Sequence, residues 1–209
     1  MTIGATIFLV VAGAFAIGDW SARAGARRRL EYVCKPATLV ALILVAVTLD
    51  PVHSDVRVWF VVALVFSLAG DVFLMLPSDA FVAGLGAFLL AHVAYAIGLN
   101  LHTSGDWWWA LPVVAVAGLL GLRLIRGIIA SNHRALIVPV VAYVGVIAVM
   151  VASALASGNV VAAVGALVFM GSDALIGETR FVRPNRWAPV TIMVTYHLGQ
   201  AGLVLSLLR

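Results

Sequence analysis

Residues 80–101, AFVAGLGAFLLAHVAYAIGLNL, decide the fold. No Asp, Glu, Lys or Arg interrupts this stretch, and His92 is its one readily ionisable group. About 20 apolar residues suffice for a helix to cross about 30 Å of hydrocarbon. Seven further runs of this kind flank it. The eight expected spans are 2–19, 34–50, 57–76, 80–101, 107–125, 135–156, 159–177 and 187–208. The junction at Ser157-Gly158-Asn159 and the short second span are the least sharply marked. A membrane β-barrel needs period-2 alternation, which runs such as Thr38–Val47 lack.

Composition agrees. Of 209 residues, 64% are hydrophobic and 11% charged, and the mean hydropathy is +1.13. A soluble domain has about 45–50% apolar and about 25% charged residues. This excludes a soluble enzyme, a nucleic-acid-binding domain and a disordered chain. The net charge of +4 is no nucleic-acid signal, because the basic residues lie between apolar runs. One cysteine, Cys34, excludes a disulfide framework and a Cys-based zinc site. No basic residue precedes the first apolar run, so that run is expected to stay as a span, not to be cleaved as a signal peptide. The expected class is all-α: a single transmembrane domain over residues 1–209, a polytopic bundle of eight helices. In a bacterium it would sit in the inner membrane.

Basic residues set the expected orientation. Arg23, Arg27, Arg28, Arg29 and Lys35 fall at the first loop, Arg123, Arg126 and Arg134 at the fifth, and Arg180, Arg183 and Arg186 at the seventh. Only Arg57 and Arg209 belong to the other side. By the positive-inside rule both termini are then non-cytoplasmic. Trp107, Trp108 and Trp109 read as an interfacial belt on the outer side.

Every loop is short, so chemistry must come from the helices. Ionisable groups are expensive at membrane depth and few are present: Asp71, His92 and Asp173, joined by Tyr196, His197 and Gln200, with Lys35 at the start of the second span. At about 1.5 Å per residue, Asp71 and Asp173 both lie about 6–7 Å from the cytoplasmic end of their helices. Tyr196 lies about 13 Å in and His92 about 19 Å in. The spacing predicts a polar chamber open to the cytoplasm, with the aspartates near its mouth, Lys35 at the rim and His92 as its floor. Plainer readings exist. An Asp near a helix end can snorkel to the interface, and His92, Tyr196 and Gln200 can be interhelical glue. Gly84, Gly86, Gly98, Gly118 and Gly121 read as close-packing positions. The third–fourth and seventh–eighth spans echo each other: an Asp late in the first helix, a His and a Tyr inside the second.

These polar segments resemble the YhhN family, the lysoplasmalogenases. The resemblance runs through Cys34-Lys35-Pro36-Ala37-Thr38-Leu39, Leu68-Ala69-Gly70-Asp71, Leu76-Pro77 and Gly86 to His92 with Tyr95. It continues through Gly171-Ser172-Asp173, Arg180-Phe181 and Thr195-Tyr196 to Gln200, and departs at His197, where the family pattern commonly has a second Tyr. The resemblance implies an integral membrane hydrolase that cleaves the vinyl ether of lysoplasmalogens, giving a fatty aldehyde and a glycerophospho-alcohol. Its partners would be the lysophospholipid substrate and membrane lipids, with no nucleic acid and no cofactor. Vinyl ethers are cleaved by acid, so one protonated carboxylic acid and one group acting on water are needed, as in glycosidases. Asp71 and Asp173 are the expected catalytic pair. Tyr196 and Gln200 support them, with His92 and Tyr95. Lys35 and Arg180 are the expected phosphate contacts, and side chains of the third, fourth, seventh and eighth helices, such as Phe88 and Phe169, the walls of a chain slot.

Two other readings compete. A metal enzyme would use His92, His197, Asp71 and Asp173, but no pair has ligand spacing on one face, and no metal is expected. A proton-coupled transporter would use the aspartates as relays, but Pro112 and Pro139 interrupt the fifth and sixth helices without matching breaks in the two halves. A lipid-binding role is the remaining alternative. The orientation is directly testable: a C-terminal fusion to a reporter active only outside the cytoplasm is expected to be active, and activity of a cytoplasm-only reporter there would reverse it.

Overall fold

A computed structural model describes residues 1–103 and 105–209. Eight helices follow one another: α1 (Ile3–Ala24), α2 (Arg28–Thr48), α3 (Ser54–Met75), α4 (Phe81–Asn100), α5 (Ala110–Ala130), α6 (Ile137–Ala156), α7 (Val160–Phe181) and α8 (Ala188–Ser206). All eight are long and apolar enough to cross a membrane, and no strand occurs among the described residues. The expected fold class is therefore the observed one.

The chain folds up and down, which leaves two rims. Loops α1–α2, α3–α4, α5–α6 and α7–α8 gather at a basic rim, where Tyr32 Oη donates to Met75 O (3.0 Å) and Arg180 pairs with Asp79 (3.0 Å). The opposite rim holds both termini. There Thr2 Oγ1 donates to Thr48 O (2.7 Å) and the Val52 amide donates to Leu207 O (2.9 Å). The weakly marked 6/7 junction is a true helix break. Gly158 takes φ +69°, and the Asn159 carboxamide caps α7 by accepting from the amides of Val161 and Ala162.

Several helices outrun their apolar stretches at the basic rim. α1 continues to Ala24, α2 begins at Arg28, α5 reaches Ala130 and α7 reaches Phe181. Long basic side chains let a helix continue into the interface with their charged ends in water. Pro112 and Pro139 do not interrupt α5 and α6. Each stands third in its helix, where the backbone N–H has no intrahelical partner to lose. The interior proline is Pro36 of α2.

Adjacent helices pack from α1 to α4, and α4 then packs on α6, leaving α5 outside against α6 and α7. α8 closes the bundle on α7, α1, α2 and α3. Glycines set two close seams. A Cβ on Gly84 would come within 2.6 Å of Leu74, and one on Gly70 equally near the Phe88 ring, between α3 and α4. Between α7 and α8, a Cβ on Gly165 would lie 2.8 Å from the Leu203 amide nitrogen. Of the glycines expected to pack closely, Gly84 and Gly98 do, Gly121 makes ordinary contact, and Gly86 and Gly118 face nothing within 4 Å. Gly165→Val meets backbone that cannot yield. It should lower stability by about 1–3 kcal/mol, whereas Gly86→Val should leave the unfolding temperature in detergent nearly unchanged.

Candidate active site

The polar side chains form two networks, each centred on one aspartate. Asp71 of α3 is buried, as is Lys35 of α2, whose side chain is 3% exposed. Lys35 Nζ stands 3.0 Å from Asp71 Oδ1, and Tyr196 Oη of α8 donates to Asp71 Oδ2 (2.9 Å). Beside this group Tyr95 Oη of α4 donates to Gln200 Oε1 of α8 (2.5 Å). These contacts tie four helices together.

Lys35 is therefore not at an open mouth. Seven residues of α2 precede it, about 10 Å of helix. Its ammonium is occupied by Asp71, so the phosphate contact expected of it does not fit this position. Arg180 does stand at the basic rim, exposed, paired with Asp79 and lying 4.0 Å over the Phe81 ring.

Asp173 of α7 centres the second network. Tyr143 Oη of α6 donates to Asp173 Oδ2 (2.5 Å), and His92 Nε2 of α4 lies 3.3 Å from the same oxygen. At 3.3 Å the His92 contact meets an ion-pair distance, but neither ring nitrogen makes a well-formed hydrogen bond. His92 is thus no distant floor. The apparent gap came from placing the end of α7 at residue 177. With α7 ending at Phe181, Asp173 lies about 12 Å from that end and His92 about 17 Å into α4. Side chains lean toward their own helix N-terminus, and α4 and α7 are antiparallel, so the two lean toward each other. The same four residues undo the expected equal depth of the aspartates, since Asp71 remains about 6 Å from the end of α3.

An aromatic layer separates the networks. The Phe169 ring lies 4.8 Å from His92 and 5.3 Å from Tyr196, and the Phe88 ring lies 5.8 Å from Tyr196. On the Asp173 side an apolar groove opens between α4, α5, α6 and α7, lined by Leu85, Phe88, Leu124, Tyr143, Val144 and Asp173 among others. It runs from Phe81 and Phe181 at the basic rim to Ala117, about 20 Å along α5. Of the expected slot walls, Phe88 lines it, while Phe169 lies behind. α5 and α6 supply much of the rest, which the sequence reading assigned to α3 and α8.

Of the four residues of the metal reading, His92 and Asp173 meet and the other two stand apart. Asp71 is held by Lys35, Asp173 by Tyr143, and His197 Nδ1 accepts from the Trp20 indole N–H (3.1 Å). Among the described residues, potential metal ligands converge only at His53, Asp55 and His102 on the opposite rim. Sequence reasoning missed Tyr143 and Asp19. Tyr143 carries no charge and sits in an apolar helix, which left no signal. Asp19, at the end of the first apolar run, looked like a helix end, although Arg23 four residues on lies on the same helical face.

The profile of the YhhN family matches residues 30–207. The chain belongs to the YhhN family. It is 34% identical over 175 residues to the lysoplasmalogenase of Mycobacterium bovis, across 77% of this chain and 64% of that protein. It is 33% identical over 147 residues to human lysoplasmalogenase TMEM86B, across 70% of this chain and 62% of that protein. An uncharacterized membrane protein YhhN of Escherichia coli is 31% identical over 121 residues, 58% of this chain and 56% of that protein. The matched segment thus spans less than two thirds of these relatives' lengths. No solved structure matches. The YhhN match contains every network residue from Lys35 to Gln200 and leaves out α1.

The buried ion pair makes a prediction. Lys35→Met strands the Asp71 carboxylate, and removing one partner of a buried pair costs about 3–5 kcal/mol. A large fall in unfolding temperature is expected, where loss of a phosphate contact alone would raise KM and leave stability intact.

Proposed function

We propose that this multi-pass membrane protein is a hydrolase of the cell membrane that cleaves the vinyl ether of lysoplasmalogens, giving a fatty aldehyde and glycerophosphoethanolamine or glycerophosphocholine. The observation that carries this is Asp173: a carboxyl in the wall of an otherwise apolar groove, with a tyrosine and a histidine at one of its oxygens. A groove of that lining suits a single hydrocarbon chain, and its basic rim suits a phosphate. The names of the mycobacterial and human relatives point to the same substrate class.

The chain lies in the groove with its head at the basic rim, where Arg180 meets the phosphate. Asp173 accepts the Tyr143 hydroxyl and has an imidazole beside it, an arrangement for drawing a proton from water. Proton delivery falls to Asp71, and since Phe88 screens it from the groove, the Phe88 ring must turn aside for the carboxyl to reach the vinyl carbon. Protonation of the vinyl carbon gives an oxocarbenium ion. Water adds to it and loses its proton toward Asp173 and His92, and the hemiacetal collapses to aldehyde and alcohol. Lys35, Tyr196, Gln200 and Tyr95 hold the Asp71 side in place.

Mass spectrometry of a lysoplasmalogen incubated with the purified protein should detect the aldehyde; no aldehyde from folded wild-type protein would refute the reading. Asp173→Asn should lower kcat at least about 100-fold, the scale of a lost acid–base group. Arg180→Ala should raise KM more than it lowers kcat, because a phosphate contact is made equally in ground and transition states.

A further inference from the structure

Asp19 of α1 is fully buried, and neither of its carboxylate oxygens has a hydrogen-bond partner in the chain. Both flanking residues touch sequence neighbours of the Asp71 network. A Cβ on Gly18 would lie 2.8 Å from Cys34 Sγ, so α1 presses on α2 next to Lys35. Trp20 donates to His197, the neighbour of Tyr196. Lys35 and Arg23 are the cations near enough to act on Asp19, and Glu31 and Asp71 the acids.

Few charged groups surround Asp19. Arg23 of its own helix is paired with Glu31 of α2 (2.8 Å), and these cancel. His197 of α8 accepts at Nδ1 from Trp20, so its proton is on Nε2 and it is neutral. That leaves one ammonium, Lys35, for two carboxyls, Asp19 and Asp71. A carboxylate buried without a partner is far costlier than a carboxylic acid. The cluster balances when it holds one proton.

We infer that Asp19 is a positioning residue that shares the Lys35 ammonium with Asp71, so that the buried trio retains one proton for delivery by Asp71. The proton rests on whichever carboxyl the ammonium does not pair with. In this structure Lys35 pairs with Asp71, which leaves the proton to Asp19. Lysine has a flexible four-carbon stem. Swinging the ammonium toward Asp19 as the proton passes to Asp71 leaves the total charge unchanged and makes Asp71 the acid. This rests on the hydrolase reading above for its purpose, but the trio's proton is measurable without substrate.

The test is infrared spectroscopy of the purified protein, reading the carbonyl stretch of protonated carboxyls, together with turnover and thermal unfolding. Asp19→Asn leaves one carboxylate to one ammonium. It should remove one carboxylic-acid band and lower kcat at least about 30-fold, within the range for general acid–base groups, with KM and unfolding temperature little changed. Asp71→Asn should remove the same band, which keeps the test decisive if Asp19→Asn does not fold. Asp19→Glu should restore the band and part of kcat. Wild-type turnover in folded Asp19→Asn, or a band that survives either Asn substitution, would overturn the proposal. A band lost as expected in a protein that releases no aldehyde would instead sink the hydrolase reading and leave the shared proton standing.

Discussion

The ion pair between Lys35 and Asp71 is the fixed point of this bundle. Inside a membrane bundle there is little water to satisfy a charge, so a buried ammonium and carboxylate must find each other or fail to fold. Once α2 and α3 each commit a charge at one level, the rest follows. Asp71 has a second oxygen to satisfy, and Tyr196 brings α8 against α3 to do so. Gln200, one turn along from Tyr196, then meets Tyr95 of α4. The apolar surfaces of these helices are nearly interchangeable in lipid. The polar contacts choose which faces meet, and the glycine seams let them meet closely.

The echo between the third–fourth and seventh–eighth helices takes a crossed form. Asp71 of α3 is served by Tyr196 of α8, and Asp173 of α7 by His92 of α4. Each aspartate takes a partner from the second helix of the other pair. Within each pair the helices touch through glycines, too closely for large polar side chains to lie between them. The polar groups are left to face the opposite pair, where the Tyr95–Gln200 bond joins the two second helices.

How much of this was legible follows from the cost of polarity in lipid. Asp71, His92, Asp173 and Tyr196 stood out because an apolar helix gives such residues nowhere neutral to go. Their partnerships were not legible. Depth counted along the sequence depends on where a helix ends, and helices outrun their apolar runs wherever arginines carry them into the interface. Four extra residues of α7 were enough to bring His92 and Asp173 from apparent separation into contact. Lys35 misled for the same reason, since α2 begins six residues before its apolar stretch.

The aromatic layer explains why two polar networks can coexist at such short range. Were Asp71 and Asp173 to share one wet chamber, both would be hydrated. Phe88 and Phe169 instead place hydrocarbon between their partners. Low polarity strengthens each local interaction and keeps the networks distinct. Asp173 then answers to a tyrosine, a histidine and an apolar groove, while Asp71 answers to a lysine and, through it, to Asp19. Two identical side chains are thereby placed in different surroundings. Phe88 has its ring against Gly70 on one side and the groove on the other.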